Sequence, residues 1–181
     1  MTSPILADLS VRVATAMRPL AAPAIYRLVT TFQAKATAPA AAGATTLQIT
    51  PPAGMGGVIA GDSFTVGGPA VKTVTMSAPM TNGTITLTFA PLLTAPIAAG
   101  AVVPLARSTD SPILAWMEAV EVARLTGTLI GAADVFVNVL GHTLPDEPMP
   151  GATILIGGRT LTVKSAQLDG AGAVWRILAG T

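Results

Sequence analysis

The 181 residues leave room for one domain or two small ones, each able to bury a modest core. The composition is 51% hydrophobic but only 10% charged and 4% aromatic, with 18 Gly, 15 Pro and no Cys. That excludes disulfides and thiolate metal sites, and it leaves far less surface charge than a monomer in water normally carries. A net charge of +1 gives no bulk electrostatic reason to wrap nucleic acid.

Low charge points either to lipid or to burial against other protein. The uncharged stretch from Thr73 to Ala106 is broken by Pro79, Pro91, Pro96 and Pro104 and has no run of about 18 apolar residues to cross a bilayer as a helix. A membrane barrel would need many more strands with aromatic girdles. Asp8, Arg12 and Arg18 interrupt any apolar core that a signal peptide would need. Protein–protein burial, hence an oligomer without membrane contact, is the expectation.

In chain order, residues 3–20 predict a helix. Ser3-Pro4 is an N-cap followed by Pro at the first helical position, and Leu6, Leu9, Val13, Met17 and Leu20 recur at helical spacing until Pro19 and Pro23. Ala24 to Phe32, with Ile25, Tyr26, Val29, Thr30 and Thr31, predicts a strand. Between Ala36 and Ala106 the only charges are Asp62 and Lys72. Within that span Thr45–Thr50, Ser63–Val66, Val71–Thr75 and Thr84–Phe89 alternate and are bounded by turn residues. Asn82-Gly83 is a strong hairpin signal before the last of them. This alternation argues for a folded module rather than a disordered linker.

The C-terminal third is also β in pattern. Asp134–Val139, continuing from Leu129-Ile130, precedes a Pro-rich loop from Pro145 to Pro150. Thr153–Ile156, a Gly157-Gly158 turn, Thr160–Lys164 and Val174–Leu178 then complete a meander. Residues 113–124 are open: Ser111-Pro112 suggests a helix start, whereas Val120-Glu121-Val122 alternates like a strand. The stretch Ala60–Gly68 echoes Pro150–Gly158, each a turn, a short strand and a Gly-Gly reversal. Shared hairpin chemistry accounts for the echo as readily as duplication does. The expected fold is mainly β: an N-terminal helix and a small barrel-like core meander from residues 1–32 and 111–181, with an inserted Ala/Thr/Gly-rich all-β module over 33–110.

Nine acids and one histidine offer little from which to build a reaction centre. His142 has no second histidine and reads as a loop residue. Glu118 and Glu121 lack the aromatic platform of a sugar site, and Asp134 and Asp146 lack the spacing of a calcium loop. No Ser sits in Gly-x-Ser-x-Gly, and Gly54-Met55-Gly56-Gly57 lacks the Lys and Ser/Thr of a phosphate loop. Arg12, Arg18 and Arg27 either face a phosphate backbone or form a solvated helix face. Trp116 and Trp175 read as core or interface anchors rather than base-stacking platforms. The expectation is a non-enzyme with no catalytic, cofactor-binding or metal-binding residue and no cofactor.

The strings Gly127-Thr128-Leu129-Ile130, Ala133–Val139, Pro150-Gly151, Ile156–Val163 and Val174–Leu178 together resemble the head-to-tail connector (neck) proteins of tailed bacteriophages. These are the head-completion or stopper subunits that join portal to tail. The resemblance covers 113–181 and, more loosely, 1–32. It implies a helix, a strand and a barrel-like meander with a Pro-Gly-Asp…Ile-Gly-Gly hairpin. The chain departs from that pattern at Ala152, where the family often carries an acid, and in having the 33–110 module. What the resemblance further implies is a ring, commonly of six or twelve copies, around the DNA channel of the virion, assembled in the host cytoplasm. A portal or adaptor ring would lie on one side and a tail terminator or tail tube on the other, with non-specific contact to DNA. The alternatives are a tail-terminator or adaptor subunit of the same neck, or an adhesin-like or carbohydrate-binding β-module. Seven aromatic residues in the whole chain argue against the last.

Overall fold

A computed structural model of the chain describes residues 4–51, 57–119 and 134–181. The protein is mainly β: among the described residues one short helix, α1 (Pro4–Met17), precedes ten antiparallel strands. These are β1 (Ala22–Ala36), β2 (Thr46–Thr50), β3 (Ser63–Phe64), β4 (Lys72–Ser77), β5 (Ile85–Ala90), β6 (Val102–Ala119), β7 (Val135–Leu140), β8 (Thr153–Ile156), β9 (Arg159–Leu168) and β10 (Val174–Gly180). Helix α1 ends in a single 3₁₀ turn, Arg18–Leu20, where Pro19 cannot extend the α-helical ladder.

The chain divides into two compact units, Met1–Leu28 with Thr109–Thr181, and Val29–Ser108. The expected boundaries at 32/33 and 110/111 are therefore displaced. They follow the composition break, whereas the units divide inside β1 and β6, two long strands that each serve both units.

In the first unit the ladder order is β1-β8-β9-β10-β7-β6, and in the second it is β1-β2-β5-β4-β3-β6. β1 and β6 also pair with each other, so each circuit of strands closes and, among the described residues, neither unit has a free sheet edge. Side chains alternate across these sheets as a two-residue repeat requires. In the second unit Leu47, Ile49, Phe64, Leu87, Phe89 and Leu105 point into one core. Thr46, Gln48 and Thr50 of β2 face outward. In the first unit the core comes from Tyr26, Ala115, Val137, Val139, Ile154, Leu161 and Ile177. Burying each larger aliphatic side chain contributes about 1.5–3 kcal/mol.

On the outer side of the first unit, Val13, Ala14 and Met17 of α1 pack with Leu114, Trp116, Leu140 and Val174. Only part of the predicted apolar stripe is used, because Leu9 and Leu20 remain exposed.

Residues 113–119 are strand, the end of β6; 120–124 lie outside the described residues, as do Leu129-Ile130 and Glu121. The Ser111-Pro112 helix-start signal loses because β6 runs on through it. Pro112 lies between the last pair with β3, at Ala106, and the first with β7, at Ala115, so its missing N–H breaks neither of those ladders. Both two-residue hairpin turns form as predicted. Asn82 and Gly83 have φ of 50° and 76°, and Gly157 and Gly158 have 56° and 76°, the left-handed pair that such a turn demands.

Candidate functional site

The charged side chains of the described residues are mostly used in pairs. Asp62, at the entry to β3, is buried (side chain 1% exposed) and is gripped by Arg107 of β6 through two bonds: Nε donates to Oδ1 at 2.9 Å and Nη2 to Oδ2 at 2.7 Å. The Ile59 backbone N–H also donates to Oδ2 at 3.0 Å, and Arg107 Nη2 donates to the Gly57 carbonyl at 2.7 Å. The guanidinium stands 5.6 Å from the centre of the Phe32 ring. Hydrogen bonding to Asp62 holds Arg107 above its ordinary basicity, against the lowering effect of burial. This constellation is a clamp that pins the 57–62 turn to β6. Gly57, the last residue of the Gly-Met-Gly-Gly run, serves as an ordinary turn carbonyl; residues 54–56 lie outside the described residues.

Lys72 of β4 is fully buried, and its Nζ donates to the Gly68 carbonyl at 3.0 Å. In the first unit Asp134 accepts two bonds from Lys164 of β9, at 2.7 and 2.9 Å. A Cβ on Gly180 would collide with that carboxylate, so a larger residue there would have to displace the Asp134 side chain. Asp134 is thus tied to a lysine, while Asp146 is exposed in the β7–β8 loop; the two are not brought together as ligands.

The three arginines near the N-terminus do not act as one cluster. Arg12 pairs with Asp8 along α1 at 3.0 Å, and Arg18 is exposed in the 3₁₀ turn. Arg27 lies on β1, not on a helix, and makes a two-pronged pair with Asp110 of β6 at 2.7 and 2.8 Å. That bonding raises Arg27 and lowers the Asp110 carboxyl from their ordinary values.

Glu118 is half-exposed and lies 3.8 Å from Arg176. The Arg176 guanidinium is stacked 4.0 Å from the Phe136 ring centre. Trp116 packs at the α1 face and Trp175 against the first unit's core, so both serve as packing anchors in this unit. His142 stands exposed in a 3₁₀ turn, Gly141–Thr143. It borders a groove of 330 Å³ formed with Val11 and Ala14 of α1, Arg18 of the 3₁₀ turn that follows, and Gly172 and Ala173.

Among the described residues no three His, Cys, Asp or Glu side chains converge as a metal site would need, and no helix is long and apolar enough to cross a membrane. Sequence reasoning missed the Asp62–Arg107 clamp, although Asp62 was one of only two charges in an otherwise uncharged span and a buried charge must be paired. Comparison with known proteins finds no matching family model, no matching curated protein and no matching solved structure.

Proposed function

We propose that the chain is a structural virion protein: a ring-forming subunit of a tailed-phage neck, joining portal and tail around the DNA channel and acting as the stopper that closes the head. The reading is carried by the C-terminal sequence strings that resemble those of neck proteins, and the strands they form are compatible with it. Residues 135–140, 153–168 and 174–180 make one continuous ladder, β8-β9-β10-β7, turned at Gly157-Gly158 and carrying the N-terminal helix on its outer side.

Composition supports it. Charges are few and many of them are consumed in internal pairs, while Ile59, Val71, Met76, Met80, Val102 and Met149 are exposed. Such a surface is suited to burial against other subunits. Closed strand circuits mean that association uses side-chain faces rather than strand addition. The same features suit a tail-terminator or adaptor subunit of the neck, with the same partners.

The test is direct. The purified protein should form rings of six or twelve copies by negative-stain microscopy and native mass spectrometry, and antibody against it should label the head–tail junction of purified virions. A protein that stays monomeric at high concentration and is absent from virions overturns the proposal.

A further inference from the structure

We infer that the chain is a tandem duplication of one five-stranded repeat, residues 22–100 and 101–181, whose long first strands are exchanged so that each completes the other repeat's circuit. The 33–110 region is then no foreign insertion. It is most of the first repeat.

The pairing order carries this. β1 pairs with β2, β2 with β5, β5 with β4, β4 with β3, and β3 returns to the first half of β6. β6 pairs with β7, β7 with β10, β10 with β9, β9 with β8, and β8 returns to the first half of β1. The two circuits are the same circuit with the roles of β1 and β6 interchanged.

Register agrees residue by residue. Before β3, the Gly61 N–H donates to Val74 O (2.8 Å), Val74 N–H to Asp62 O (2.7 Å) and Asp62 N–H to Ile59 O (3.2 Å). Before β8, Gly151 donates to Val163 (2.9 Å), Val163 to Ala152 (2.8 Å) and Ala152 to Met149 (3.1 Å). With Val74 aligned on Val163, both second hairpins carry their register shift at the same step: Val74 faces Phe89 and Met76 faces Thr88, as Val163 faces Ala179 and Ser165 faces Leu178. The alignment continues into the next strands, where Leu47↔Leu87 and Val137↔Ile177 hold one place in the ladder. It also fixes the long strands: Leu105 and Tyr26 face Phe64 and Ile154, and Ala36 and Ala115 face Ile49 and Val139. Independent hairpins share turn chemistry, but they do not share a bulge position, a return strand and a six-strand order together.

Divergence falls where the surroundings differ. Phe136 and Leu178 in the first unit correspond to Thr46 and Thr88 in the second, which supplies a physical origin for the threonine-rich composition. In the interior, Asp62 and Lys72 stand where the other repeat has Ala152 and Leu161.

The test grafts one hairpin onto the other in the full-length chain. Gly61–Val74 is replaced by the sequence of Gly151–Val163, with Arg107→Leu because Leu28 holds the matching place and Asp62 is lost. A control carries Ala152–Lys164 instead, one residue out of register, which turns every apolar side chain of the graft to the wrong face. The reciprocal graft, Gly61–Val74 in place of Gly151–Val163, is made as a second variant. At least one in-register graft should melt cooperatively, within about 10 °C of the parent for a chain of this size, while the shifted control loses its cooperative transition. If both in-register grafts fail as the control does, or the control folds as well as they do, the equivalence is wrong. This inference stands independently of the neck reading.

Discussion

The two units hold their buried acids in different ways. In Val29–Ser108 the Asp62 carboxylate is fixed by a planar guanidinium, a backbone N–H and an aromatic ring beside the cation, and the Arg107 side chain is only 23% exposed. In the other unit Asp134 is held by a lysine whose side chain is 43% exposed and lies at the bulge of β9. A rigid fork that is itself enclosed leaves a stranded acid when it is removed, whereas a lysine on the surface can be replaced by water. The same barrel order therefore has one unit that depends on its ion pair and one that merely uses it.

Removing each cation tests that difference. Arg107→Ala should destabilise its unit by about 3–5 kcal/mol, the usual cost of leaving a buried charge alone. Lys164→Ala should cost clearly less, since solvent reaches the place it vacates. The pair Asp62→Ala with Arg107→Leu, which installs the residues found at Ala152 and Leu28, should recover most of the loss. Urea unfolding followed by circular dichroism reads all three. Equal losses for Arg107→Ala and Lys164→Ala would erase the contrast.

The Gly-Gly reversals offer a second contrast. Gly68 and Gly158 both have positive φ, 122° and 76°, so alanine at either is strained by about 1–2 kcal/mol. A Cβ at Gly68 would also run into the Thr94 side chain, while one at Gly158 meets open space. Gly68→Ala should therefore cost about 1–3 kcal/mol more than Gly158→Ala, the usual range for overpacking. Val at both Gly157 and Gly158 should cost about 2–4 kcal/mol from backbone strain. Thermal melts compare the four chains, and an identical melting temperature for the Gly68 and Gly158 variants would mean the second unit's loop yields freely.

Hairpin turns were the most legible part of the fold, because Asn82-Gly83 and Gly157-Gly158 state their φ requirement in residue type alone. β1 and β6 were not legible at full length. β1 contributes Tyr26 to one core and Ala34 and Ala36 to the other, with exposed Val29, Thr30 and Thr31 between, so no single alternation runs through it. Alanine adds too little apolar area to mark the second half. β6 carries Arg107, Ser108, Thr109 and Asp110 at its middle and two prolines, all of which look like loop. The charged partners were hidden for another reason: Asp62 and Arg107 lie 45 residues apart, Arg27 and Asp110 lie 83 apart, and only the closed circuits bring them together. The placing of His142 in a turn and of Trp116 and Trp175 in packed surfaces needed only local pattern.

The smallest effect concerns the exposed counterpart of the clamp. Arg27 and Asp110 join β1 and β6 as Arg107 and Asp62 join β6 and the turn before β3, but both side chains are about two-fifths exposed (39% and 42%). Screening by water leaves such a pair little to contribute. Its hydrogen bonds to Arg27 nonetheless depress the Asp110 carboxyl below its ordinary value, so the folded chain binds that proton less readily than the unfolded chain does. The sign follows. Its stabilisation is complete above the unfolded carboxyl value of about 3.9, and it fades as pH falls through the lower folded value. Asp110→Asn should therefore melt slightly below the parent at pH 6 in low salt, and the gap should shrink both toward pH 2.5 and on adding salt. Since the Asp62 clamp is shielded from solvent, Asp62→Asn should show a larger gap with little salt dependence. Matching salt responses for the two variants would show that enclosure does not separate these ion pairs.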